Sequence, residues 1–451
     1  MAYQISMVHL GCAKNQVDGE MLLATAQQAG YTLCDSVEQA DAVIVNTCGF
    51  IESAKRESID EILQLARLKN SGKLKAIVVT GCLAERYQTE ILKELPEVDA
   101  VLGIGANADI AQALQQVLSG RKVERFASKY DLPLTGERVL STPRYYAYLK
   151  ISEGCSNRCS YCAIPVIRGK FRSRTMEDIV QEAQKLTSNG VKELIVIAQD
   201  TTFYGADLYG KVMLPELLRR LCKVPGVHWI RLLYCYPNRM TDELIEVMAN
   251  EEKIVKYIDL PLQHAVGRVL KAMHRGENRE SLTALLTKLR TKIPGIVIRT
   301  TFIAGFPGET PEEFAQLAEF SRKMRFDRMG CFAYSREEDT PAAALPGQID
   351  EDEKQRRAEI MAREQQLVMQ ELGQARVGTA LEVLTEGFDQ ELGLCWGRSY
   401  ADAPEIDGRV LFAAQNPPKP GDFVRVRITD CADCDLLGEL LQEGAADEFA
   451  E

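Results

Sequence analysis

The chain has 451 residues, with 54 Lys and Arg against 65 Asp and Glu for a net charge of -11, and it is 46% hydrophobic and 26% charged. At about 150 residues per domain that is roughly three folded domains, which excludes a small disulfide-stapled module and a disordered chain. No apolar run reaches the roughly 20 residues of a membrane span and the start, MAYQISMVHLGCAKN, shows no basic-then-apolar leader, so a cytoplasmic protein is expected.

From the N-terminus, β-rich runs alternate with helical patterns: strand 5–10, helix 18–29, strand 42–45, helix 52–68, strand 76–80, helix 85–95, strand 98–102 and helix 110–118. That alternation predicts a parallel sheet in a first domain over 1–140, closed by a linker around Pro133, Gly136 and Pro143. It restarts with strands at 145–151, 193–198, 229–234, 257–260, 297–302 and 329–334, so residues 141–375 read as an incomplete (β/α)6 barrel. Thr175 with Asp178, and Thr310 with Pro311 and Glu313, mark helix starts inside it. A charged helix at 351–372 leads to strands at 380–385, 409–413 and 423–430, a small β-barrel over 376–442 with an acidic tail at 443–451. The fold class is therefore α/β with a terminal β-barrel. Net charge by domain is -4 over 1–140, +3 over 141–375 and -10 over 376–451.

Thirteen cysteines are too many for an average cytosolic enzyme, so metal or redox chemistry should explain several. Cys155, Cys159 and Cys162 form C-x3-C-x2-C just after the first strand of the second domain. Three thiolates can hold a cubic iron-sulfur cluster and leave one iron open to chelate a substrate. Structural zinc needs a fourth ligand and the next histidine is His228, though zinc or unligated thiols remain alternatives. Cys12, Cys48 and Cys82 each end a predicted strand, so they converge on one sheet edge, where ligands bind in parallel sheets. Gly11, Gly49 and Gly81 beside them would let backbone approach a bulky inorganic group. The alternative is three small buried hydrophobes. Of the rest, Cys431 and Cys434 form a C-x2-C that could be half a metal site; the others read as core.

Gly305-Phe-Pro-Gly308-Glu309 ends the fifth barrel strand, where amides and a carboxylate could line a cofactor pocket or merely make a turn. Gln199 and Asp200 end the second strand, as pocket residues or as a cap. Arg168, Lys170, Arg172 and Arg174 read as a solvated face or as a guide for an acidic substrate; His264 and His274 fall in helical patterns and receive no chemistry.

The loop EGCSNRCSYCAIP, with Tyr161 before its third cysteine, resembles the radical S-adenosylmethionine enzymes, whose open iron binds the amino and carboxylate groups of that cofactor. With two three-cysteine sets and a terminal β-barrel in this order, the whole chain resembles the methylthiotransferase family of those enzymes, the barrel resembling their TRAM domain. The resemblance implies an auxiliary [4Fe-4S] cluster on Cys12, Cys48 and Cys82, a radical [4Fe-4S] cluster on Cys155, Cys159 and Cys162, and S-adenosylmethionine near Tyr161, Gln199 and Gly305. It further implies two cofactor molecules per turnover: one methylates a sulfur at the auxiliary cluster, the other yields the radical that removes hydrogen from the substrate. A reductant such as flavodoxin or ferredoxin and a sulfide or polysulfide donor would serve it. Cys431 and Cys434 depart from the family pattern.

One branch of the family modifies adenosine in transfer RNA; the other modifies the β-carbon of an aspartate in protein twelve of the small ribosomal subunit. LGCAKNQVDGE, IRGKFRSR, AQDTTFYG, LLYCYP and DLPLQH resemble the second branch. Residues 376–442 hold 6 basic and 12 acidic side chains, a balance that repels phosphate and attracts a basic protein, so RNA is not expected as the primary partner. The transfer-RNA enzyme and a two-cluster electron carrier remain as alternatives, the latter set against by two sets that stop at three ligands. Transfer of a methylthio group from the auxiliary cluster to the substrate carbon radical requires both open irons to face one cavity, so the edge bearing Cys12, Cys48 and Cys82 is expected to cover the barrel mouth.

Overall fold

The computed structural model describes residues 3–441; the tail expected at 443–451 lies outside the described residues. In the first domain β1 (Gln4–His9) leads into α1 (Ala13–Gln28), β2 (Thr32–Leu33), β3 (Ala42–Thr47), α2 (Glu52–Asn70) and β4 (Ala76–Gly81). α3 (Cys82–Tyr87), α4 (Thr89–Glu94), β5 (Ala100–Leu102), α5 (Ile110–Leu118) and β6 (Val123–Arg125) complete it. The strands pair in parallel in the order β2-β1-β3-β4-β5-β6. β3 and β4 are buried along their whole length, as their runs AVIV and AIVV require. The strand order reverses between β1 and β3, which makes their carboxyl ends the switch point.

Two expectations need correction here. The helix predicted at 85–95 is two helices, because Gln88 takes a left-handed φ of 45° that ends α3. α1 starts at Ala13, ahead of its apolar pattern, because Lys14, Asn15 and Asp18 in its first turns are buried polar residues that serve an interface.

In the second domain β7 (Tyr146–Lys150) and β8 (Ser152–Glu153) precede α6 (Ile164–Arg168), β9 (Arg172–Ser173), α7 (Met176–Ser188), β10 (Glu193–Ile197) and α8 (Leu214–Cys222). β11 (Trp229–Leu232), α9 (Asp242–Asn250), β12 (Ile254–Asp259), α10 (Gly267–Ala272), α11 (Arg279–Lys292), β13 (Val297–Ala304), α12 (Pro311–Met324) and β14 (Arg328–Ala333) follow. The parallel order β14-β13-β12-β11-β10-β7 leaves the barrel open between its first and last strands. Alternation divides its core: Leu149, Val196 and Leu232 pack beneath the helices, while Tyr148, Ile195, Ile197 and Tyr257 form the inner cluster. Thr175 caps α7, and Thr310 and Glu313 form a capping box with Pro311 at the start of α12. His264 and His274 lie outside the helices; His264 is buried in the loop after β12 and its Nε2 faces Glu309 Oε2 at 3.3 Å.

α13 (Glu351–Gln374) carries the chain to a closed barrel of β15 (Ala380–Asp389), β16 (Leu394–Ser399), β17 (Val410–Ala413), β18 (Phe423–Ala432) and β19 (Asp435–Leu440). β16 and β19 escape the apolar pattern because glycines sit where strands cross closely: a Cβ on Gly397 would meet Leu384 O at 2.3 Å, and one on Gly438 would meet Arg427 O at 2.5 Å. This barrel plugs the amino end of the larger one. Arg231 Nη1 donates to Tyr400 O at 2.7 Å, Tyr257 OH to Asp407 Oδ2 at 2.7 Å, and Arg398 Nη2 to Glu193 Oε2 at 2.7 Å, while Ala401 and Ala403 join the inner cluster. Asp402 also pairs with Arg328 at 2.7 Å. Part of the acidic surplus is thus neutralised inside the molecule, though Glu391, Asp430, Asp433 and Glu439 remain exposed. No helix of the described residues is long and apolar enough to cross a membrane.

Candidate metal and cofactor site

Cys12 immediately precedes α1, Cys48 follows β3, and Cys82 opens α3 directly after β4, so strand register alone brings the three to one edge. Cys48 and Cys82 each feel the charge of Cys12, and Cys48 that of Cys82. The flanking glycines also serve the packing of these loops. A Cβ on Gly11 would lie 2.8 Å from Cys48 Cβ, and one on Gly49 would lie 2.8 Å from Leu83 N. They let the cysteine-bearing loops approach one another, and Gly11 (φ 91°) and Gly81 (φ 93°) also need the left-handed region.

Cys155, Cys159 and Cys162 lie in the loop between β8 and α6, whose base is closed by the antiparallel β8-β9 pair. Asn157 Nδ2 donates to Asp200 Oδ2 at 2.8 Å, and Arg239 pairs with the same carboxylate, so Asp200 anchors the loop. Tyr236 OH lies 3.9 Å from Cys159 Sγ, with the Arg275 guanidinium 4.0 Å above the Tyr236 ring. Tyr161 packs beside Val269, Met273 and Phe306.

The two triads are joined through α6. Cys82 clusters with Ala163 and Ile167, and Arg168 Nη2 donates to Cys82 Sγ at 3.3 Å and to Asn15 Oδ1 at 3.0 Å. Arg168 Nη1 bonds Asp18 Oδ2 at 2.5 Å, and Lys150 pairs with both Asp18 and Glu153, the latter at 3.0 Å. α1 and the end of β4 therefore sit over the carboxyl mouth of the larger barrel, as sulfur transfer requires. Burial raises Glu153, but Lys150 and Arg168 outweigh it and hold that carboxyl at about 2. Arg168 and Arg174 are accordingly no solvated face: both are buried, and Arg174 pairs with Glu182 at 2.5 Å. Sequence spacing could not show this, because their acidic partners come from α1, β8 and α7.

Among the described residues no group of three or more His, Cys, Asp or Glu is gathered to hold a single metal ion. In a four-iron cube each thiolate binds a different iron, so three thiolates leave one iron open. Burial pushes the Cys48 thiol up to about 12 and Cys155 to about 11, and raises Cys82 and Cys162 as well. Such thiols ionise when a cation replaces their protons, so loading iron releases protons.

Gln199 Nε2 donates to Glu153 Oε1 at 2.8 Å, and its own Oε1 is a buried acceptor without a partner, which fits the ammonium of an amino-acid cofactor. Gly305 N donates to Glu309 Oε2 at 3.1 Å, and a Cβ there would meet Lys354 Cγ at 2.3 Å, so this glycine admits α13 against the loop. Glu309 is buried and paired with Arg357 at 2.6 Å. Cys395 is core of the small barrel, while Cys431 faces α13 with its Sγ 3.8 Å from Gln370 O. Lys14, Asp18, Glu153 and Tyr234 carry no spacing signal and become visible only as buried polar or aromatic groups around the two triads.

Family models match along the chain: Uncharacterized protein family UPF0004 over residues 4–103, the Radical SAM superfamily over 149–321, and the TRAM domain over 377–441. The fold is shared with the radical S-adenosylmethionine methyltransferase TsrM from Kitasatospora setae, at 15% identity and TM-score 0.55 over 76% of this chain and 77% of that one. Fold and cysteine loop thus define a radical S-adenosylmethionine protein with a TRAM barrel. The chain is 51% identical to the ribosomal protein uS12 methylthiotransferase RimO of Desulforamulus reducens, over 97% of this chain and 99% of the relative. It is 48% identical to the RimO protein of Clostridioides difficile, over 98% and 99%. The chain belongs to the ribosomal protein uS12 methylthiotransferase family.

Proposed function

We propose that this protein is a radical S-adenosylmethionine methylthiotransferase that converts the β-carbon C–H of an aspartate in ribosomal protein uS12 to C–S–CH3. The reading is carried by the convergence of two cysteine triads on one interface, bridged by Arg168 between Cys82 and the loop of Cys155, Cys159 and Cys162. Cys12, Cys48 and Cys82 would hold the auxiliary [4Fe-4S] cluster, and Cys155, Cys159 and Cys162 the radical cluster. When bound, the clusters and S-adenosylmethionine supply the sulfur, the methyl group and the hydrogen-abstracting radical.

The chain's own residues supply position and shielding. Asn157, Asp200 and Arg239 fix the loop; Gln199 Oε1 offers an acceptor to the cofactor's ammonium, and Tyr161 a packing surface beside it. Asp18, Lys150, Glu153 and Arg168 lock the first domain over the barrel mouth and keep water from the reacting carbon. The exposed acids of the small barrel favour a basic protein over a polyphosphate. A cytoplasmic location, a flavodoxin or ferredoxin reductant and a sulfide or polysulfide donor complete the reading.

The test is an anaerobic reaction of the iron-reconstituted, reduced protein with sulfide and S-adenosylmethionine, offered uS12 and transfer RNA separately and read by mass spectrometry. A methylthio mass gain on a uS12 aspartate is expected. Gain on adenosine alone would overturn the substrate, and absence of deoxyadenosine would overturn the chemistry.

A further inference from the structure

Lys14, two residues beyond Cys12, is only 7% exposed, and its ammonium lies 3.2 Å from the centroid of the Tyr234 ring. Every other buried lysine and arginine among the described residues, from Lys55 to Arg398, has a carboxylate within 4.0 Å. Lys14 has none. The groups whose charge reaches it are the Tyr234 phenol, the Cys12 thiol and, less strongly, Asp259, and that carboxylate is engaged elsewhere: Oδ1 accepts from Arg299 Nη1 at 2.9 Å and Oδ2 from the Tyr234 backbone N at 2.9 Å. An aromatic face compensates part of the desolvation of a cation, but a buried ammonium without a carboxylate partner remains costly. A site of this kind is built for an anion that arrives with a ligand.

Its position says which ligand. Lys14 extends from the first domain beside Cys12, while Tyr234 follows β11 at the carboxyl mouth of the larger barrel, held at φ 61° with its N–H on Asp259. The ammonium therefore stands between the first triad and the carboxyl mouth of the larger barrel, where the reacting carbon of a substrate would lie. We propose that Lys14 is the specificity-determining residue that binds the side-chain carboxylate of the substrate aspartate, orienting its β-carbon between the two triads. This rests on the function proposed above and deepens it. The same carboxylate chemistry occurs in the amino-acid part of S-adenosylmethionine, but the orphan acceptor suited to that part, Gln199 Oε1, lies beside Glu153, two residues before the second triad.

The experiment compares the iron-loaded wild-type protein with Lys14→Gln and Lys14→Arg, each checked for iron content. Binding of intact uS12, and of uS12 with the target aspartate changed to asparagine, is read by fluorescence anisotropy; cofactor affinity is titrated separately. The wild type should prefer the aspartate protein by about tenfold or more, the scale of a charge-assisted hydrogen bond. Lys14→Gln should bind both forms equally and raise KM for uS12, with cofactor affinity unmoved, and Lys14→Arg should keep a preference. A wild type that does not distinguish aspartate from asparagine overturns the proposal whatever the variants do. So does a Lys14→Gln variant that keeps the preference, or one that loses cofactor affinity, which would assign Lys14 to the cofactor's carboxylate. Failure of the wild type to modify uS12 at all is a separate result and overturns the function rather than the role of Lys14.

Discussion

Arg168 Nη2 lies 3.3 Å from Cys82 Sγ, so the helix that follows one cysteine triad touches a member of the other. The same guanidinium bonds Asp18 Oδ2 at 2.5 Å and approaches Glu153 Oε2 at 3.4 Å, joining two domains and both triads through one buried side chain.

Replacing Arg168 with leucine leaves Lys150 as the one cation shared by Asp18 and Glu153. Losing one partner of a buried ionic group costs about 3 kcal/mol or more. Urea unfolding should show that loss, whereas Lys170→Ala, at an exposed position, should change stability by no more than about 0.5 kcal/mol. Equal stability of the two variants would mean that the network does not hold the domains together.

Single Cys→Ala changes should separate the triads. At Cys155, Cys159 or Cys162 the variant should lose about half its iron and all deoxyadenosine formation. At Cys12, Cys48 or Cys82 it should lose a similar share of iron and form no methylthio product, yet still cleave S-adenosylmethionine. Iron analysis with chromatography of deoxyadenosine reads both.

Gly11→Ala places a methyl group 2.8 Å from Cys48 Cβ at a φ of 91°. The Cys48 loop must shift, so iron on the first triad should fall while deoxyadenosine formation, which depends on the second, persists. Full iron content in this variant would show that the loop yields without cost.

Acid should loosen the plug between the barrels through Glu193. Burial raises its carboxyl, but Arg398 and Arg231 outweigh that and hold it below the ordinary value of about 4.3. A carboxyl lowered in the folded state adds stability above its unfolded value, and that stability is lost as pH falls below about 4.3. Glu386 acts in the opposite sense, since burial raises it despite Arg398. Denaturation midpoints of Glu193→Gln against the wild type from pH 6 to 3.5 isolate the contribution of Glu193; the difference should be largest at the upper end and shrink as pH falls.

Much of the fold was legible in the residues. Helix 110–118 coincides with α5 (Ile110–Leu118), and each expected strand of the larger barrel overlaps an observed one, most closely at β10 and β13, whose apolar runs ELIVI and VIRTTFIA fit a buried strand. β16 and β19 were not legible, since Gly397 and Gly438 answer to backbone crossings set by other strands. The tight C-x3-C-x2-C of Cys155, Cys159 and Cys162 could be read from spacing; Cys12, Cys48 and Cys82 could be read only because each ends a strand of the same sheet.

By itself the sequence determined the elements, the two cysteine sets and the family, because periodicity, spacing and local motifs are properties of neighbouring residues. Only the tertiary structure decided that Arg168 and Arg174 are buried, that Asp407 neutralises an interface rather than the surface, and that Lys14 alone among the described buried cations lacks a carboxylate. A side chain's charge is written in the sequence; the partner that satisfies it comes from another domain, and the free energy of a buried charge depends on that partner.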